Sequence, residues 1–261
     1  QKRIFSGVIM PITAILLDMN GPVIPGMKTL DDFTISNWFV GLPDVSATPF
    51  AGYYFGEPAP DITYNSYNKN APAVINGSLN NADGYISVNN TDYLDTNQKA
   101  PLTLTICGVA KRNAGGASLN AHMIADFSGS GSAASGFSIG FTNGTGSLFC
   151  VGQNNGQPSA GYAYAAFPAS IAVGDLFAFA ASITQGTVTV DIYNPQTGAL
   201  ISSSAAFPGT RVAGTNNVLL GRKTDNNNET TTKYIKSVLL MEGVLTSAEK
   251  VSVSQFLLSM E

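Results

Sequence analysis

Nucleophilic catalysis of the serine- or cysteine-protease kind needs a base beside its nucleophile, and the chain's one histidine is His122. It stands in His122-Met123-Ile124-Ala125-Asp126-Phe127, an apolar run that reads as a strand, and no G-x-S-x-G elbow supplies a serine. His122 therefore reads as structural. Zinc would need His122 with Cys107 and Cys150, none at ligand spacing. Gly221-Arg222-Lys223-Thr224 ends like a phosphate loop but lacks the earlier glycine. Glycoside hydrolysis takes two carboxylates facing one sugar, whereas the acids here are scattered, and the E-x-D-x-x-E strand of sandwich glucanases is missing. Asp191, central on a clear strand, alternates outward with threonines and reads as a solvated-face residue. The expectation is a protein that is not an enzyme.

Binding chemistry is better represented. Asp225-Asn226-Asn227-Asn228-Glu229 is oxygen-rich, and Asp225, Asn227 and Glu229 are the calcium ligands it would offer. The same run also serves as an exposed polar turn, and no other cofactor is expected. Tyr162 and Tyr164 flank Ala163, just after a loop, 153–158, that carries Asn154 and Asn155. Aromatic rings beside amides suit sugars, because a ring covers the apolar face of a pyranose while amides bind its hydroxyls. Trp38, the one tryptophan, is a candidate of the same kind. Core packing or a subunit interface accounts for each of these aromatics equally well. Cys107 and Cys150 read as small buried hydrophobes, with a disulfide between neighbouring strands left open.

The balance of charge narrows the partners. Charged residues make up 11 % of the 261 residues, and the formal net charge is −4. A general nucleic-acid binder needs a basic stripe to neutralise phosphates, and an anionic membrane surface also attracts basic segments. Neither partner is expected. The longest apolar stretch, 8–17, is too short to span a bilayer. It reads as an opening strand or an N-terminal arm over 1–30, ahead of a sandwich over 31–261.

The elements that must position these side chains have a period of two. Leu102, Leu104 and Ile106 alternate with threonines, as do Val188, Val190 and Ile192, and Phe137, Ile139 and Phe141 repeat the spacing. Alternation of this kind means strands with one buried face. Runs 176–183 and 218–221 add further strands, and Gln185-Gly186 and Asn194-Pro195-Gln196-Thr197-Gly198 supply hairpin turns. The Gly/Ser/Ala-rich stretch 128–136 reads as a mobile loop. Thr246-Ser247-Ala248-Glu249 is a capping box, followed by Val253, Phe256, Leu257 and Met260 at helical spacing. That helix is expected on an edge or end of the sandwich. Residues 31–100, dense in proline and aromatics, are expected to form ordered loops and edge strands, with 101–261 as the best-supported core. The fold class is all-β: a two-sheet antiparallel jelly-roll sandwich with a short C-terminal helix and a loop-rich N-terminal region.

The order 174–183, 186–193, 217–222, then 234–240 leading into Leu245-Thr246-Ser247-Ala248-Glu249, resembles the concanavalin A-like, or laminin-G-like, jelly-roll superfamily. The legume-lectin metal run is not reproduced around Asp191-Ile192-Tyr193-Asn194, so no family site carries over. Low charge and abundant Gly, Ser, Ala and Asn are similar to virion proteins of tailed bacteriophages. That resemblance implies a non-enzymatic structural protein of head, tail or fibre, located in the virion and homo-oligomeric beside neighbouring subunits. It would touch host-surface glycans. The alternative is a secreted bacterial carbohydrate-binding module or adhesin, and a glycoside hydrolase comes third.

Overall fold

In a computed structural model the described residues are 37–56, 61–79, 81, 83–116, 118–144, 146–225 and 229–260. The arm read over 1–30 lies outside them. In chain order the strands are β1 (Thr48–Tyr54), β2 (Val74–Asn76), β3 (Ile86–Val88), β4 (Tyr93–Lys99), β5 (Leu104–Lys111), β6 (Ala121–Ala125) and β7 (Gly136–Phe141). They continue with β8 (Leu148–Gln153), β9 (Gly161–Ala165), β10 (Leu176–Ile183), β11 (Thr187–Asn194), β12 (Ala199–Ala206), β13 (Asn217–Leu220) and β14 (Lys233–Glu242). One helix, α1 (Ser247–Ser259), follows them.

The strands form two antiparallel sheets, as the alternation requires. The first runs β1-β14-β5-β10-β11-β12, with β3 pairing the start of β14 beside β1; the second runs β2-β4-β13-β6-β7-β8-β9. Between them lies the main core, where Phe137, Ile139 and Phe141 meet Phe177, Phe179, Val188, Val190 and Ile192. The architecture is a jelly-roll sandwich. Leu102 falls outside β5 and is exposed, so that strand begins two residues later than the apolar spacing suggests. Pro49 lies in edge strand β1 where the register to β14 slips, a position that tolerates a missing amide.

The helix does not sit on an edge. It covers the outer face of the first sheet, where Val253 and Leu257 pack on Cys107, Val109, Ala178, Ala180, Leu239 and Met241. The capping box forms as expected: Thr246 Oγ1 accepts from the Glu249 amide at 3.3 Å, and Glu249 Oε2 accepts from the Thr246 amide at 2.7 Å. Glu249 also accepts from the Ser46 amide and hydroxyl, tying the segment before β1 to the helix start. Thr246→Ala is expected to lower stability by about 1 kcal/mol, readable in urea denaturation.

This covered face corrects the reading of Asp191. Its side chain does alternate outward, but α1 lies over it, and it is 3 % exposed. Lys250 Nζ stands 2.7 Å from Asp191 Oδ2. Cys107 and Cys150 are buried and unbonded; Cys107 lies under the helix and Cys150 in the main core. Burial pushes both thiols up to about 12.

The stretch 128–136 is also tied down. Ser128 and Ser135 exchange backbone hydrogen bonds of 3.0 and 2.9 Å, closing the loop at its base. Ala134 packs with Phe127, Phe149 and Val151 on the outer face of the second sheet.

Candidate functional site

The turn 153–155, the closed loop 128–136 and the loop 210–216 surround a polar cleft of about 340 Å³ at the end of the sandwich where β5 begins. Arg211, buried, fixes the third wall by donating through Nε to Leu102 O (3.0 Å) and through Nη2 to Pro101 O (3.1 Å). Asn216 Nδ2 reaches Asp126 O and Ser128 Oγ, linking that wall to the first loop.

Asp126 is the buried acid of this cleft. Its Oδ1 accepts from the Phe137 amide at 2.7 Å. Its own backbone amide also points at the carboxylate. Burial pushes its carboxyl up to about 6, against the opposing pull of the Phe137 amide and the Arg211 charge. Two glycines keep the group uncovered. A Cβ at Gly136 would lie 2.5 Å from Asp126 Oδ1, and one at Gly214 would lie 2.6 Å from Oδ2.

Asn154 and Asn155 both line the cleft, but their amides have different duties. Asn154 is buried and donates to Pro208 O at 2.9 Å, while Asn155 is exposed at the rim. Gln153 spends both amide hydrogens, on Gly131 O and Gln157 O. Asp126, Arg211 and Asn216 have no spacing in the sequence that would have announced them.

Tyr162 and Tyr164 continue the same surface. On β9 every second residue is buried, so both rings face out of the second sheet, 43 % and 49 % exposed. The rings are nearly parallel, at 6°, with centroids 5.9 Å apart. Tyr162 pairs with Val151, which makes Gln153 its diagonal neighbour on that face and joins the ring pair to the cleft. The Tyr164 amide donates to Ser203 Oγ at 3.0 Å, lacing β9 to the edge strand of the other sheet.

The remaining candidates lie elsewhere. Trp38 is half-buried, 5.1 Å from the Tyr54 ring, among the side chains around α1 on the opposite face of the sandwich. Of the oxygen-rich run, Asn227 lies outside the described residues. Asp225 Oδ1 pairs with Lys223 Nζ at 3.1 Å, and its Oδ2 accepts from the Gly129 amide. Glu229 Oε2 pairs with Lys233 Nζ at 2.9 Å, both buried. Lysine ammonium groups thus stand where a cation would draw these two carboxylates. Among the described residues no three His, Cys, Asp or Glu side chains gather to hold a metal. His122 Nδ1 lies 2.7 Å from Ser138 Oγ, but Ser138 is fully buried. Burial pulls the imidazole down to about 3, so it is neutral at pH 7. Among the described residues no helix is long and apolar enough to cross a membrane.

No protein-family model and no curated protein matches the chain. Solved structures do, at the level of fold. Domain 4 of AbnA, a GH43 extracellular arabinanase from Geobacillus stearothermophilus solved with arabinotriose, is 15 % identical at a TM-score of 0.55; the match covers 80 % of this chain and 99 % of that one. A Trypanosoma rangeli sialidase mutant displaying trans-sialidase activity is 10 % identical at a TM-score of 0.56, covering 84 % of this chain and 34 % of that one. A structure of botulinum neurotoxin type C, whose cell entry depends on two ganglioside molecules, is 12 % identical at a TM-score of 0.56, with coverages of 82 % and 51 %. The chain therefore spans a third of the sialidase and half of the neurotoxin chain. At these identities the likeness is one of fold.

Proposed function

We propose that this chain is a non-enzymatic, glycan-binding jelly roll whose binding surface is the Tyr162–Tyr164 pair together with the adjoining cleft. The observation that carries the reading is the exposure of two large parallel rings beside buried polar groups. Two large rings exposed side by side with parallel faces offer a flat apolar platform suited to a ligand. A sugar supplies both kinds of complement, C–H groups for the rings and hydroxyls for Asp126 and Asn155. Two proteins of similar fold, an arabinanase domain solved with arabinotriose and a neurotoxin whose cell entry depends on gangliosides, support the ligand class.

The setting we propose is a bacteriophage virion, with the chain as a head-decoration, tail or fibre subunit, assembled as a homo-oligomer and meeting host-surface glycans. The low charge and the abundance of Gly, Ser, Ala and Asn support it. A secreted bacterial carbohydrate-binding module would use the same surface, supported equally by the fold.

A glycan array tests the function. Saturable binding to one glycan class is expected, with each of Tyr162→Ala and Tyr164→Ala weakening it roughly tenfold, about 1.4 kcal/mol apiece. Trp38→Ala, on the far face, is expected to bind as the parent does. Flat binding across the array, or a parent-like double tyrosine variant, would remove the reading. Incubation with a polysaccharide panel is expected to release no reducing sugar. Mass spectrometry of purified source particles decides the setting, because a virion subunit co-purifies with them and a secreted module does not.

A further inference from the structure

At the other end of β5 from the cleft lies a second basin. The strand begins just past Pro101 and Leu102, which Arg211 holds, and ends at its eighth residue, Lys111. There a basin of about 580 Å³ opens, walled by Tyr85, Tyr234, Lys111, Ser87 and Val173. The volume is within the range of small-molecule sites. Its walls are fixed from below: the Gly174 amide donates to Arg112 O at 2.9 Å, the Arg112 amide donates to Asp175 O at 2.8 Å, and Tyr234 pairs with Ser87 across β14 and β3.

The ammonium of Lys111 is the unusual group. It stands 3.7 Å from the centroid of the Tyr85 ring and 5.7 Å from that of Tyr234, and the two rings meet edge to face at 5.3 Å. Cation–π attraction holds it there without using a single N–H. Among the described residues Lys111 has no ion-pair or hydrogen-bond partner, unlike Lys223, Lys233 and Lys250, which each hold a carboxylate. Asp83, an exposed acid at the basin's edge, accepts from Tyr85 Oη at 3.1 Å instead of pairing with Lys111, and the guanidinium-bearing Arg112 lines the same basin. Because Lys111 already fills the cation seat over Tyr85, the group that completes the site is an anion able to accept from an ammonium. Around it are the half-buried Ser87 hydroxyl, the Tyr234 ring and Val173, 58 % exposed at the rim. These suit a hydroxylated, partly apolar body attached to that anion.

We propose that this basin is a second saccharide site, selective for sugars that carry a carboxylate. The carboxylate pairs with Lys111 Nζ, the sugar ring lies against Tyr234 and Val173, and Ser87 meets a hydroxyl. The site is separate from the Tyr162–Tyr164 surface, and either can fail without the other.

Saturation-transfer NMR on the full chain tests it, with galacturonate, glucuronate and N-acetylneuraminate as probes, and galactose and acetate as controls. At least one of the three acids is expected to bind, and Lys111→Met is expected to weaken it about tenfold or more. Val173→Glu, a change at an exposed site that leaves the core alone, is expected to weaken it by charge repulsion, and added salt to weaken it further. The Tyr162→Ala/Tyr164→Ala variant is expected to retain this binding. The proposal is overturned if none of the three acids binds, or if galactose binds as well as galacturonate. It is also overturned if acetate competes at equal concentration, which would mark a bare anion site, or if Val173→Glu and Lys111→Met bind as the parent does.

Discussion

Lys250→Met is expected to destabilise the fold by about 3–5 kcal/mol, because it leaves the Asp191 carboxylate buried without its partner. The two groups are 7 % and 3 % exposed and 2.7 Å apart, so water cannot take the place of the lost ammonium. Breaking one side of such a pair costs far more than replacing both. Lys250→Met with Asp191→Leu is therefore expected to recover most of the loss, and a double-mutant cycle in urea isolates the coupling. A second readout locates the damage. Cys107 lies beneath α1 and Cys150 lies in the main core. When the helix loosens, Cys107 is expected to react with a thiol reagent while Cys150 stays protected. Equal labelling of both cysteines would mean global unfolding and would contradict a helix-specific role. A loss below about 1 kcal/mol, the value of an exposed pair, would contradict the burial argument itself.

Asp126→Asn is expected to have the second-largest effect on stability, with the opposite sign. In the folded chain burial raises the Asp126 carboxyl from its ordinary range to about 6. The folded state therefore holds that proton more tightly than the unfolded chain does. This contribution is fully present below about pH 4 and is lost as pH rises through about 6. Above that pH the native protein carries a buried charge costing on the order of 2–3 kcal/mol, and the asparagine removes it. Asn keeps an acceptor for the Phe137 amide. Unfolding midpoints measured from pH 4 to 8 are expected to converge for the two proteins at the acid end and to diverge above pH 6, with the variant higher. Curves that run parallel across the range would refute the assignment. A sugar hydroxyl donating to the ionised carboxylate offsets part of the same cost, so glycan binding in the cleft is expected to strengthen as pH rises through 6.

Much of the sandwich was legible because alternation reports a buried face directly. The alternating Thr187–Asn194 became β11, the uniformly apolar run Leu176–Ile183 became β10, and the capping box at Thr246 became the start of α1. Alternation does not say whether the other face is covered, and Asp191 was misread for that reason. A local signal existed: Lys250, Val253 and Leu257 share one face of the helix at spacings of three and four, which puts a lysine in the apolar stripe. Tyr162 and Tyr164 were legible as a pair because residues two apart on a strand point the same way. The rest of the cleft was not. Asp126, Asn154 and the Arg211–Asn216 loop come from three separate stretches of chain, brought together only when the ends of β6, β8 and β13 line up. Trp38 shows the converse, since a shared residue type gave no information on which face it would occupy.

The position of β14 has a consequence for how the chain is made. Strand β14 lies between β5 on one side and β1 with β3 on the other, so that Thr48 ends up opposite Glu242. Strands β1, β3 and β5 leave the ribosome long before the neighbour they share. Until residues 233–242 emerge, each has an open hydrogen-bonding edge, the kind that pairs with other chains. Topologies closed by such distant pairing fold slowly. Emergence of residues 233–242 is thus the step that closes the facing edges of β1, β3 and β5 and leaves the first sheet with only its outer edges open.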